Sequence, residues 1–518
     1  MTTRTVSRRQ FMGQASCAAV GSTALFSGLM NLGMTNVAAA QGLNSTPYLA
    51  GQEEDYKALV CVLLAGGNDS FNMLVPRTDS EYADYQAIRS DLAIAKDTLL
   101  PLNVTGGDGR EYGVHPGMPE VQQLFNDGNL AFVANVGTLV EPTDKNGYES
   151  GVAKLPLGLY SHSDQIMHWQ TSVPDKRSAY GWAGRMADVM NNLNTSNNIS
   201  MNISLSGSNI FQAGSTVAEY SIGPNGAPSL GGYGTGQGEE QEWYADDPFI
   251  QLRTAAIDSM LDLQYRNLFE QTFINTTRNS LSAYQEFNAA VAGVQPLTTQ
   301  FSPGYLSKNM EMIAKTIAAR QTLGMKRQTF FVLFGGWDHH DEVINAQGAM
   351  LPVVSKALSE FHAALTELGV ADKVTTFTTS DFGRTLTSNG RGSDHGWGGN
   401  QIVMGGAVQG GQLYGNYPNL RQDGPLDVGR GNLIPTTSVD EYFSELALWF
   451  GVDKSDLSTI FPNIDRFYTT SSETMPLGVL PRAVETVSLN PVQSPTQSKP
   501  VNTNQQPFRS FLPFVTRG

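Results

Sequence analysis

Apolar residues in this chain come in short, dense runs that stop on glycine and polar residues. Leu59-Val60-Cys61-Val62-Leu63-Leu64 runs into Ala65-Gly66-Gly67-Asn68-Asp69-Ser70. Thr329-Phe330-Phe331-Val332-Leu333-Phe334 runs into Gly335-Gly336-Trp337-Asp338-His339-His340. Val374-Thr375-Thr376-Phe377-Thr378-Thr379 runs into Ser380-Asp381-Phe382-Gly383-Arg384-Thr385. Continuous β-branched and aromatic runs of this length predict strands buried on both faces. Residues 129–137 predict another strand, and 401–404 a short one. Between the strands, apolar positions recur at helical spacing. A helix opens at His115-Pro116-Gly117-Met118-Pro119, with Val121, Leu124 and Phe125 on one face. Further helices are predicted around 82–97, 305–325, 349–369 and 438–450. Residues 247–292 read as helical, with Ile250, Leu252, Ile257, Met260, Leu261 and Leu263 as core positions. This alternation predicts an α/β fold, a mostly parallel sheet flanked by helices on both faces.

Ligands of open α/β sheets bind at the carboxyl ends of the strands. Here three strand ends carry Asp69, Asp338-His339-His340 and Asp381. A Gly- and Ser-rich loop then delivers Asp394-His395-Gly396-Trp397-Gly398. A single Asp at a strand end fits turn capping. Three of them with histidines point to metal binding or catalysis. Of the adjacent His339 and His340, one is expected at the site and the other in packing. Leu159-Tyr160-Ser161-His162-Ser163-Asp164-Gln165 precedes a helix, and the helix start favours a bound or developing anion. His162 fits either a site role or a helix-start hydrogen bond, and Ser161 alone fits a helix N-cap. His115, His168 and His362 read as structural, and Trp337 and Trp397 as pocket lining or core.

Residues 193–245 are rich in Asn, Ser and Gly with short alternating runs, which predicts an insertion of strands and loops over the active edge. From about Pro481, Pro, Gln, Ser, Thr and Asn dominate, and a low-complexity tail over 481–518 is expected. The main domain is expected over 41–470.

The 518-residue chain carries a formal net charge of −15. Its first 40 residues hold Arg4, Arg8 and Arg9 and no acids, so the rest stands at −18. Such an acidic body disfavours nucleic acid or anionic membrane as a partner and suits cations. Ser7-Arg8-Arg9-Gln10-Phe11-Met12 is a twin-arginine pattern. A moderately apolar stretch comes next, and Val37-Ala38-Ala39-Ala40 offers small residues for cleavage. A signal peptide over 1–40, export by the twin-arginine machinery and a periplasmic or secreted mature protein are expected. Its apolar stretch is too interrupted for a stable membrane span. Cleavage would remove Cys17 and leave only Cys61, which reads as a core residue.

Gly66-Gly67-Asn68-Asp69, His115-Pro116, Ser161-His162, Gly336-Trp337-Asp338-His339-His340, Ser380-Asp381-Phe382-Gly383-Arg384-Thr385 and Asp394-His395-Gly396-Trp397-Gly398 match the pattern of a family. The chain resembles, from about Leu59 to Phe461, the twin-arginine-exported family called domain of unknown function 1501. That family's fold is similar to the alkaline phosphatase and sulfatase superfamily. The resemblance implies Asp69 as a first metal ligand, Asp338 with His340 (or His339) as a middle pair, Asp381 as a later Asp and His395 as a final His. It implies Ser161 as nucleophile, with Ser163 as the second candidate. Phe382 stands where many superfamily members place a histidine ligand. Either Asp394 replaces it, or the site holds one ion, or the second site is lost.

The reading is an exported metal-dependent hydrolase of phosphate or sulfate esters or related anionic groups. Its cofactor is one or more divalent ions (Zn, Ca, Mg or Mn), and its substrate an anionic small molecule or polysaccharide. Arg384 would hold a substrate oxyanion. The alternative is a non-catalytic exported binding protein of the same fold with a structural or vestigial metal site. No nucleic-acid partner is expected under either.

Overall fold

A computed structural model describes residues 55–106, 109–195, 198–230, 233–234 and 247–482. Its strands in chain order are Lys57–Ala65 (β1), Leu74–Pro76 (β2), Leu100–Pro101 (β3), Tyr112–Val114 (β4), Leu130–Gly137 (β5) and Asn202–Ser204 (β6). Tyr220–Ser221 (β7), Arg327–Gly335 (β8), Val374–Ser380 (β9), Gly399–Met404 (β10), Leu413–Tyr414 (β11) and Thr437–Ser438 (β12) complete them. Among the described residues nine strands build the central sheet, ordered β11-β5-β10-β9-β1-β8-β6-β7 with β12 beside β5. β2, β4 and β3 form a small antiparallel sheet apart. In the central sheet β1 runs parallel to β8 and β9, while β10 runs antiparallel to β5 and β9. The sheet is therefore mixed and mostly parallel.

β1 shows why the run is apolar throughout. Ala58, Val60, Val62 and Leu64 enter one core, and Leu59, Cys61 and Leu63 enter the other. Each Val or Leu so buried contributes about 1.5–3 kcal/mol of transfer free energy. Helices Pro119–Asn126, Tyr305–Ala318 and Val343–Glu367 cover the first face. Helices His162–Thr171, Trp182–Met190 and Val439–Phe450 cover the second. Burial pushes the Cys61 thiol up to about 12, which leaves it a packing residue. Val439–Phe450 begins at a reciprocal cap, Ser438 Oγ accepting from Glu441 N and Glu441 Oε2 from Ser438 N. It ends at Gly451 with φ 113°.

Several expected boundaries move. The helix expected over 82–97 is Asp79–Arg89, stopped where Ser90 takes φ 51°. The helix expected over 305–325 ends at Ala318. The helix expected from 349 starts at Val343, because buried Val343 and Gln347 anchor its first turns and packing outweighs Gly348 and Pro352. Residues 247–292 are helical (Pro248–Leu261 and Leu268–Ala292), yet Leu252, Met260 and Leu263 are exposed. These two helices share a small cluster of Leu261, Ile274 and Leu281, and the second also sends Ala283, Phe287 and Ala290 into the main core. Within the segment expected as an insertion, two short strands extend the sheet, β6 pairing with β8 and β7 with β6. Residues 196–197, 231–232 and 235–245 of that segment lie outside the described ones.

The described residues, 55 to 482, group into one compact unit. Pro481 and Arg482 belong to that unit, while the signal-peptide expectation at 1–40 and the remainder of the expected tail, 483–518, lie outside the described residues. Among the described residues, no helix is long and apolar enough to cross a membrane.

Candidate metal centre

The register of the parallel strands aligns their carboxyl ends. Ala65 stands opposite Gly335, and Leu64 opposite Ser380. The loops leaving β1, β8 and β9 therefore start side by side, and two glycines let them close up. A Cβ on Gly66, whose φ is +122°, would fall 2.5 Å from Asp338 N. One on Gly383 would fall 1.9 Å from the Gly398 carbonyl oxygen. Any side chain at either position would part the loops that carry Asp338 and His395.

Arg384 stitches these loops together from inside. Its Nε donates to Gly67 O, Nη1 to Ser393 O and Nη2 to Gly66 O, at 2.8–2.9 Å. Nη2 also meets Asp338 Oδ1. The guanidinium is wholly buried, so the expectation that it grips a substrate oxyanion gives way to a scaffold role. With Trp337 O at 3.3 Å from Nη2 as well, buried donors committed to five acceptors have no face to offer a ligand.

Three imidazoles converge on Asp338. Its Oδ1 lies 3.1 Å from His340 Nε2 and 3.4 Å from His395 Nε2, and its Oδ2 lies 3.4 Å from His162 Nε2. His340 Nε2 and His395 Nε2 are 2.9 Å apart. Each ring is held by its other nitrogen. His162 Nδ1 is 2.7 Å from Asp381 Oδ2, His340 Nδ1 is 3.0 Å from Asp394 Oδ1, and His395 Nδ1 is 2.8 Å from Tyr160 O. A carbonyl only accepts, so His395 carries its proton on Nδ1 and turns a lone pair inward through Nε2.

Asp381 and Asp394 thus hold rings instead of pointing at the common centre. Asp381, almost completely buried, also accepts from Gly66 N at 2.9 Å. Asp394 further accepts from Asn389 Nδ2 and pairs with Arg430 Nη1. Asp69 is turned elsewhere. It is fully buried, ion-paired with Arg89 at 2.6 Å, and accepts from Ser393 Oγ at 2.9 Å. Ser161 caps the helix His162–Thr171 without a side-chain capping bond, and its Oγ pairs with Ser163 Oγ at 3.1 Å.

The remaining candidates are structural. Trp337 and Trp397 are buried, the latter donating to Thr138 O. His339 is buried beside Trp337. His115 Nδ1 accepts from Gly117 N, and burial lowers its pKa to about 4. His168 Nε2 meets Leu157 O at 2.8 Å, and His362 is partly buried. Phe382 packs its ring between His162 and His395, at 4.8 and 4.4 Å. Sequence reasoning missed Tyr160, Asn389, Arg430 and Arg89. Only Gly429-Arg430-Gly431, a cation between two turn-forming residues, carried a signal of its own.

Electrostatics sort the acids. Burial pushes Asp381 above the usual carboxylate range, against the pull of Gly66 N–H and His162. Burial also raises Asp338, but the hydrogen bond and charge of Arg384, with His340 and His162, outweigh it and hold it low. Asp394 sits at about 2, because Asn389, Arg430 and His340 overcome the effect of burial. Burial, with the charges of Arg384, His162 and His340, lowers His395 despite its bond to Tyr160 O.

His162, Asp338 and His395 each offer one ligand atom within 4.8 Å of the others, a set able to hold a metal ion. His340 Nε2 lies beside two of them, 3.1 Å from Asp338 Oδ1 and 2.9 Å from His395 Nε2. Ligands ~2.1 Å from a common ion and at 90–110° to one another lie roughly 3.0–3.4 Å apart, and the Asp338 oxygens stand 3.1–3.4 Å from the three Nε2 atoms. With Nδ1 of both rings protonated, the His340 and His395 lone pairs face each other, a contact that a shared cation relieves. Each ring also has the outer partner that metal-bound histidines usually have. The residues fit a divalent ion.

Residues 260–457 match the family described as Protein of unknown function (DUF1501). That stretch takes in Asp338, His340, Asp381, Asp394 and His395, and is narrower than the resemblance read from the motifs. No curated protein matches the sequence. Among solved structures, the PsFucS1 sulfatase from Pseudoalteromonas sp. is 12% identical, with 88% of this chain and 77% of that one covered and a TM-score of 0.31. The lipoteichoic acid synthase LtaP from Listeria monocytogenes is 9% identical, with 78% and 80% covered and a TM-score of 0.27. A mutant of the alkaline phosphatase PafA is 12% identical, with 66% and 64% covered and a TM-score of 0.22. Sulfatases and phosphatases are thus among the structural neighbours, at a distance too great to transfer any activity.

Proposed function

We propose that this protein is a divalent-metal-dependent hydrolase of phosphate or sulfate esters, exported by the twin-arginine route. The observation that carries the reading is the convergence of three Nε2 atoms on the Asp338 carboxylate, each ring fixed through Nδ1. His162, His340, His395 and Asp338 would hold one ion. Three imidazoles with one carboxylate suit zinc better than calcium or magnesium, which prefer oxygen. Bound there, the ion would supply Lewis-acid polarisation and a counter-charge for an anionic ester. The remaining work falls to the chain. Asp381 and Asp394 hold His162 and His340 with Nε2 inward. Arg384 keeps Asp338 ionised. Ser161, next to His162 and paired with Ser163, is the candidate nucleophile. The ester class comes from the motif resemblance, and export from the twin-arginine pattern.

Elemental analysis of the natively exported protein, with turnover of p-nitrophenyl phosphate and p-nitrophenyl sulfate, tests the reading. Wild type is expected to carry about one ion per chain. His395→Ala loses ion and turnover, and Ser161→Ala keeps the ion with turnover reduced at least ~100-fold. A metal-free wild type beside a folded, equally metal-free His395→Ala variant would leave the binding-protein reading in front.

A further inference from the structure

Arg430 is an unusual residue to find in a left-handed turn. Its φ is +61°, between Gly429 at +117° and Gly431 at +69°. Arginine has no local hydrogen bond to offset that conformation, so its surroundings must impose it. They do so at four points. Buried Asp427 Oδ1 accepts from Gly429 N at 2.8 Å and Gly431 N at 2.9 Å. Thr387 donates to Arg430 O through both N and Oγ1, at 3.2 and 2.9 Å. The turn is thus built to hold one cation in one place, and strain of this kind collects at functional positions.

That place is the rim of the histidine cluster. Arg430 Nη1 lies 2.6 Å from Asp394 Oδ2, whose other oxygen holds His340 Nδ1, yet the arginine side chain is 54% exposed. Arg391, 70% exposed, lies across the same 387–395 loop with Nε 2.9 Å from Asp341 Oδ1, one residue from His340. Each guanidinium spends one nitrogen on a carboxylate. A guanidinium has five N–H donors in a planar fork, so both keep donors for an outside anion. In a chain of formal charge −15, two exposed arginines beside the proposed metal centre run against the overall charge. We propose that Arg430 and Arg391 form an anion-binding rim that selects substrates carrying a phosphate or sulfate oxyanion. This deepens the hydrolase reading and rests on it for the position of the reacting group.

The test is calorimetric titration of inorganic phosphate into the full-length protein as isolated, for wild type, Arg430→Gln, Arg430→Lys and Arg391→Gln. Metal content and p-nitrophenyl phosphate turnover are read separately on the same samples. Wild type is expected to bind phosphate. Arg430→Gln should weaken it about tenfold or more, Arg430→Lys less, and Arg391→Gln measurably, all with metal content unchanged. Equal phosphate affinity in Arg430→Gln and Arg391→Gln overturns the rim, as does a wild type that binds none. Phosphate loss only alongside metal loss also overturns it, because Arg430 would then act through Asp394 and His340. Arginine-dependent phosphate binding in a metal-free, inactive wild type keeps the anion site and overturns the hydrolase reading.

Discussion

His340 Nε2 faces His395 Nε2 at 2.9 Å, with Asp338 Oδ1 3.1 Å from the first and 3.4 Å from the second. Neither ring belongs to the apolar core, so either can be removed without emptying a packed interior. His340→Ala is therefore expected to leave the fold intact and to weaken zinc binding by at least ~100-fold, roughly one ligand's share of a four-ligand site. Competition against a chromophoric chelator reads the affinity, and circular dichroism reads the fold. Unchanged zinc affinity in a folded variant removes His340 from the centre.

Asp381 and Asp394 touch the rings and not the point of convergence, so their loss should be milder. Asp381→Asn and Asp394→Asn keep the shape and an acceptor oxygen but drop the charge. Each is expected to lower metal affinity about 10–100-fold, the usual cost of losing an outer partner. The same chelator titration ranks them between wild type and His340→Ala. An effect as large as that of His340→Ala would make the carboxylate concerned a direct ligand.

Asp69 offers the sharpest contrast between motif and geometry. It pairs with Arg89 at 2.6 Å with both side chains fully buried, and Arg89 also reaches Asn72 Oδ1 and the carbonyls of Thr385 and Leu386. Removing one partner leaves a buried, unpaired charge. Arg89→Ala is expected to cost about 3–5 kcal/mol in a urea unfolding experiment. The folded variant should still carry its metal. Loss of metal without loss of stability would return Asp69 to the metal centre.

The strand ends were legible in the sequence because a run buried on both faces must be apolar throughout, and the chain must turn where the run stops. Asp338 and Asp381 were found that way, whereas His395 came with the Gly- and Ser-rich loop and His162 with the start of a helix. Direction was not legible. Asp69 and Asp338 both come after a Gly-Gly or Gly-Trp turn, and only Arg89, 20 residues further on in a helix, decides that Asp69 points inward. Arg384 looks like an anion clamp until five acceptors from three loops consume its donors. Leu252, Met260 and Leu263 keep helical spacing, but among the described residues they stay exposed. The Gly429-Arg430-Gly431 turn marks Arg430 as unusual, but its partner Asp394 lies on another segment, and no local pattern announces such a pair.

Asp440 gives the fold a pH dependence independent of the metal centre. It is the second residue of the helix Val439–Phe450 and is fully buried. Burial pushes its carboxyl up to about 8, reinforced by Glu441 and opposed by Ser172, Arg185 and Arg466. In the unfolded chain the same group titrates near ~3.9. Between roughly pH 4 and 8 the native protein therefore keeps a proton that the unfolded chain has released. Since the native state binds more protons across that window, stability falls as pH rises through it and the loss levels off above about 8. Asp440→Asn cannot ionise and should not share the loss. Its urea midpoint is expected to gain on that of wild type between pH 5 and pH 8, by an amount worth a few kcal/mol at most. A difference between the two proteins that is the same at both pH values would show that Asp440 does not stay protonated in the native state.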